Sequence, residues 1–70
     1  MIKVLDLHDI RHKEVDRLVE NFVLLEKLPL RIITGNSEEM TRLVINVLER
    51  HDMNYWSFIP GQLTILGESE

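Results

Sequence analysis

Asp6 and His8 stand two residues apart at the end of an apolar run that begins at Ile2. If that run is a strand, Leu5 and Leu7 point one way and Asp6 and His8 the other. A carboxylate next to an imidazole can raise its basicity or fix its tautomer, giving a general base or acid near neutral pH. The plainer reading has Asp6 ending the strand and His8 solvated. A second group is Thr34-Gly35-Asn36-Ser37. Glycine lets the backbone approach a ligand, and N–H groups at a helix start favour an anion such as phosphate. Against that, Glu38 and Glu39 already occupy the favourable end of the helix dipole, and a bland capped loop explains the same residues. A third group, Arg11-His12-Lys13 with Arg17, can meet a phosphodiester backbone, or form a solvated helix face offset by Glu14 and Asp16. A divalent metal on Asp6, His8, Asp9 and His12 is conceivable, but no spacing here is diagnostic of one.

The elements that must hold these residues follow from changes in apolar period. Ile2–Leu7 is short, aliphatic and β-branched, and predicts a strand. Val15, Leu18, Val19, Phe22 and Leu25 or Glu26 then follow helical spacing from about Arg11 to Lys27, and Leu28-Pro29 stops that helix. Leu30–Thr34 predicts a second strand. The next helix carries Met40, Leu43, Val44, Val47 and Leu48, with Asn36 and Glu39 as a capping box and Ser37 as the competing cap. His51 to Asn54 ends it. Tyr55–Ile59 predicts a third strand with Trp56 and Phe58 in the core, Pro60-Gly61 a tight turn, and Gln62–Leu66 a fourth strand. The tail from Gly67 should fray. The order βαβαββ implies an α/β two-layer sandwich: a four-stranded mixed sheet with both helices on one face and the other face open. His8 and Gly35 should then meet at the carboxyl ends of two parallel strands, where open α/β sheets usually bind ligands.

Seventy residues make one domain, 1–70, with its core at about 2–66. Twenty-four are Ile, Leu or Val and none is Ala, which supplies the large side chains that a chain of this size needs. The absence of Cys excludes a disulfide scaffold, a thiolate zinc site and a cysteine nucleophile. A net charge of −4 opposes nucleic-acid binding by bulk electrostatics, although a local basic cluster remains compatible with it. No apolar run reaches the ~20 residues of a membrane span, and Asp6 interrupts any signal-like stretch, so the chain reads as soluble and cytoplasmic.

Leu5-Asp6-Leu7-His8, Arg11 entering a helix, Arg31-Ile32-Ile33-Thr34-Gly35 and Ser57-Phe58-Ile59-Pro60 together resemble the Smr (small MutS-related) domain, from about Val4 to Leu66. The resemblance implies a βαβαββ sandwich, nucleic-acid binding and, in many members, a DNA-nicking or RNA-cleaving endonuclease activity. Asp6 and His8 fall on the family's LDxH motif, and Thr34 and Gly35 on the first positions of its TGxG loop. This chain departs from the pattern at Asp9, where the family usually has glycine, and at Ser37, which replaces the loop's second glycine. Its last hairpin, read as Pro60-Gly61 alone, is also shorter than the family's glycine-rich connection.

Two readings follow. In one, Asp6 and His8 activate or orient a nucleophile, Thr34, Gly35 and Asn36 cradle a phosphate, and Arg11 neutralises charge. In the other, the chain is a non-catalytic Smr-like module that meets a protein partner through the open sheet face.

Overall fold

The apolar pattern switches repeatedly between strand and helix periods, and the computed structural model, which describes residues 2–68, follows each switch. The elements are β1 (Lys3–Asp6), α1 (His12–Leu25), β2 (Leu30–Ile33), α2 (Glu38–Arg50), β3 (Met53–Trp56) and β4 (Gln62–Glu68). Val15, Val19 and Val23 form the buried stripe of α1, one helical turn apart. Met40, Val44, Val47 and Leu48 do the same for α2. Leu25, expected on the α1 stripe, is 77% exposed, because the helix rotation brings Val23 inward instead.

The sheet is mixed, in the order β1-β2-β4-β3. β1 and β2 are parallel neighbours, with Asp6 opposite Ile33. β4 lies antiparallel between β2 and β3. Leu30, Ile32, Leu63 and Ile65 are buried on the sheet face that packs against the helices. The helices are also joined to each other, by Arg50 to Asp16 at 2.7 Å and His51 to Glu20 at 3.0 Å. The opposite sheet face is uncovered, and Val4, Trp56 and Leu66 are about half exposed on it. Among the described residues, no helix is long and apolar enough to cross a membrane.

The third strand differs from its expected bounds. Asp52 takes a positive φ of 54°, the chain reverses within His51-Asp52, and β3 begins at Met53. Met53 is buried and Tyr55 packs against the core, so strand alternation places Trp56 on the open face. Trp56 and Phe58 are 59% and 67% exposed, the reverse of a core assignment. The register with β4 sets this parity, since Tyr55 opposes buried Ile65 and Trp56 opposes Thr64. The connection to β4 runs from 57 to 61, longer than Pro60-Gly61 alone, and ends in a β-turn closed by Gln62 N–H donating to the Ile59 carbonyl at 3.2 Å. β4 continues through Gly67 to Glu68, so the expected fraying there gives way to pairing with Asn54 and Met53, while 69–70 lie outside the described residues.

Candidate functional site

Because β1 and β2 are adjacent and parallel, their carboxyl ends emerge side by side. Leu7 prolongs that pairing by one bond, its N–H donating to the Ile33 carbonyl at 3.0 Å, and its side chain is buried at 1% exposure. The chain then reverses in a β-turn closed by Ile10 N–H donating to the Leu7 carbonyl at 3.0 Å. Asp9 sits third in this turn with φ 63°, a position where type II geometry demands the left-handed region and favours glycine. Aspartate is one of the few other residues that tolerates it. Asp9 therefore holds a backbone shape that glycine would also adopt.

Asp6 and His8 do not form the side-chain pair expected of them. The Asp6 carboxylate accepts the His8 main-chain N–H at 2.9 Å and so shapes the turn. The His8 imidazole instead places Nε2 3.2 Å from the Asp9 carboxylate, with both side chains largely in solvent. His8 is thus presented to solvent by a turn, with Asp9 rather than Asp6 beside its ring.

The facing loop joins β2 to α2. Gly35 has φ 71°, and a Cβ there would meet nothing within 4 Å, so the position needs glycine for its backbone angle alone. Ser37 has extended angles of φ −83° and ψ 117°, which need no glycine. Its hydroxyl accepts the Met40 N–H at 3.1 Å, making Ser37 the cap of α2 in place of Asn36. Thr34 is buried; its hydroxyl accepts from Thr41 at 3.1 Å and donates to the Gly35 carbonyl at 3.3 Å.

The loop is also tied to the β3–β4 connection. The Gly61 carbonyl accepts the N–H groups of both Thr34, at 2.8 Å, and Gly35, at 3.1 Å. Gly61 itself has φ 85°, and a Cβ on it would lie 3.1 Å from the Gly35 carbonyl oxygen. Among the described residues, the first amide of this loop without a backbone acceptor is accordingly that of Asn36, not Thr34. Gly61 is a site-building residue whose sequence signal, Pro-Gly, announces a turn but not the long-range contact.

Together the two loops enclose a pocket of about 330 Å³ lined by Asp6, His8 and Asp9 on one side and by Thr34, Gly35, Asn36 and Ser37 on the other, with Met40 as part of its floor. Arg11 caps α1 without a side-chain cap bond and lies outside the lining. His12 turns toward α2, 3.5 Å from the Glu39 carboxylate. No Lys or Arg lines the pocket among the described residues. Nor do three or more His, Asp or Glu side chains converge there as a metal ligand set, so Asp6, His8, Asp9 and His12 do not assemble one. Behind the loop, an open hollow of about 440 Å³ runs between α2 and Pro60-Gly61, with Arg42 and Glu38 as its charged residues.

No protein-family model matches this chain, and no curated protein matches it. Among solved structures, it is similar to the solution structure of the SMR domain of NEDD4-binding protein 2. The similarity covers 100% of this chain and 90% of that one, with a TM-score of 0.63 and 23% sequence identity. That coverage includes both helices, all four strands and the two loops that meet at the pocket. The chain has the fold of an Smr domain.

Proposed function

We propose that this chain is a nucleic-acid-binding domain whose β1–α1 and β2–α2 loops receive a backbone phosphate. The observation that carries the reading is the convergence of His8 with the Gly35–Ser37 loop in one pocket at the carboxyl ends of two parallel strands. There, the amides of Asn36 and Ser37 would donate to phosphate oxygens, as backbone N–H groups at a helix start commonly do. His8 would add a third donor and, in its charged form, a counter-charge. Asp6 and Thr34 would act as scaffold, since their polar groups are engaged in holding the two loops. Arg11, outside the lining, would serve as an outer contact to a neighbouring phosphate.

Hydrolysis would make further demands on the same residues. His8 is the group that would move a proton, its Nε2 passing from Asp9 to the incoming phosphate. Stabilising the charge of a phosphorane-like transition state would fall to loop amides, because no cationic side chain lines the pocket among the described residues. The competing reading, a non-catalytic interaction module, draws support from that same feature, together with the two carboxylates of Asp6 and Asp9 on the pocket wall. Binding is accordingly the function the geometry supports best.

The test is incubation of the chain with labelled single-stranded RNA and with supercoiled plasmid at low salt, with and without a divalent metal. Complex formation that weakens in His8→Ala is the expected result, and cleavage, if present, should vanish in the same variant. Absence of any complex at low salt, where attraction is least screened, would remove the proposal.

A further inference from the structure

The open sheet face has a composition unlike the rest of the surface. Val4, Arg31, Thr64 and Trp56 form one row straight across the four strands. The next row toward the pocket is Asp6, Ile33 and Gln62, and beyond the end of β3 the Phe58 ring packs near that of Trp56. In these rows only Arg31 and Asp6 are charged, and the Asp6 carboxylate is turned to the His8 main chain. Trp56 and Phe58 are largely exposed, with ring centroids 6.3 Å apart and planes tilted by 56°. Arg31 is partly buried, and its Nε, shielded from solvent, has no hydrogen-bond acceptor among the described residues. A partner on this face cannot reach the shielded Nε, so an incoming oxygen or anion would be met by the rest of the Arg31 guanidinium, the one cationic group in these rows.

We propose that this face is a stacking platform for single-stranded nucleic acid, with bases on Trp56 and Phe58 and a phosphate or base oxygen at Arg31. The inference extends the nucleic-acid reading above to a second surface. Three observations favour this occupant. A four-stranded sheet with one bare face and exposed aromatics offers flat apolar area to planar bases without requiring a groove. Peptides instead prefer sheet edges or grooves that satisfy their backbone groups, and the two hollows described above lie at the loops rather than on the face. The third observation is continuity. β3 runs parallel to β1 and β2, so Phe58 and the His8 turn lie at the same end of the sheet, about 14 Å apart across three strand spacings. One strand could lie on the aromatics and enter the phosphate pocket.

Trp56 is the only tryptophan, which makes it a site-specific reporter. The full chain would be titrated at low salt with an oligouridylate or oligothymidylate of about eight nucleotides. Tryptophan emission would be followed alongside anisotropy of a fluorescein label on the oligonucleotide. The expected result is quenching of Trp56 over the same concentrations that raise anisotropy. Phe58→Ala should weaken binding about 5- to 150-fold, the range for one lost base stack. Arg31→Met should lower the salt slope by about one contact. Quenching that persists in His8→Ala supports the platform as a surface in its own right, even if the loop reading fails. Anisotropy that rises without quenching, and is indifferent to Phe58→Ala, overturns the platform and leaves binding at the loops. No rise in anisotropy overturns both. Self-association in sedimentation that Phe58→Ala abolishes would make the face a protein-docking surface and overturn the inference.

Discussion

Replacing Asp9 by glycine alters three quantities at once, and each can be worked from the structure. The residue has φ 63°, so glycine relieves a left-handed strain while adding freedom to the unfolded chain. The net is a gain of about 0.5 kcal/mol, or a Tm rise of about 2–4 °C for a domain of this size. The substitution also removes a carboxylate that lies 3.2 Å from His8 Nε2. A phosphate oxygen bound to that nitrogen would sit roughly 5 Å from the Asp9 charge, where repulsion in water is about 0.8 kcal/mol. Its removal should tighten binding about fourfold at low salt and about twofold at ~0.15 M, where screening halves the effect. If the chain also cleaves, Asp9→Gly should keep cleavage dependent on His8, because the Nε2 that Asp9 faces is the nitrogen that must be released to meet the phosphate. Fluorescence anisotropy at two salt concentrations, with a parallel thermal melt, reads all of this. Weaker binding in Asp9→Gly, or a tightening that ignores salt, would refute the electrostatic argument.

Other perturbations have equally defined outcomes. Leu7→Ala should cost about 2–5 kcal/mol in a urea titration, since the side chain is 1% exposed beneath the His8 turn, with no specific effect on ligand affinity per folded molecule. Gly61→Ala should destabilise more than Gly35→Ala, because both demand a positive φ but only at Gly61 would a Cβ press on backbone, 3.1 Å from the Gly35 oxygen; denaturation midpoints of the two variants decide the order. Burial pushes the Tyr55 hydroxyl above its ordinary value of 10.0, and the Glu49 carboxylate, 3.3 Å away, adds to the shift. Its proton is therefore held more tightly in the folded state. The resulting stability is complete below about pH 10 and declines as pH rises through the folded value, so Tyr55→Phe should flatten the alkaline limb of a stability–pH curve.

The helices and the first two strands were legible because their apolar periods are clean: Val15 and Val19 four apart, Met40, Val44 and Val47 on one stripe, Leu30 and Ile32 alternating. The same periods put His8 and Gly35 at neighbouring strand ends, which is where they lie. The third strand was misread because Trp56 and Phe58 carry more apolar weight than Met53 and Tyr55. Hydrophobicity alone does not reveal which face a strand presents; the register with β4 does, and register is a tertiary property. The pairing of His8 with Asp9 was hidden for a related reason. Strand alternation aligns Asp6 with His8, but the strand ends at Asp6, and the turn that follows obeys the left-handed angle at Asp9. Likewise, Pro60-Gly61 announced a turn, whereas the two hydrogen bonds that fix the β2–α2 loop to Gly61 depend on strand order.

The central claim is that a phosphodiester enters between the two loops, and resonance-by-resonance titration of isotopically labelled chain with a single-stranded oligonucleotide tests it most directly. The account predicts saturable, salt-sensitive shifts at the Asn36 and Ser37 amides and at the His8 imidazole, with the amides of Val19 and Val47, buried in the helices, unmoved. Oligonucleotide binding that leaves Asn36, Ser37 and His8 unshifted would contradict it.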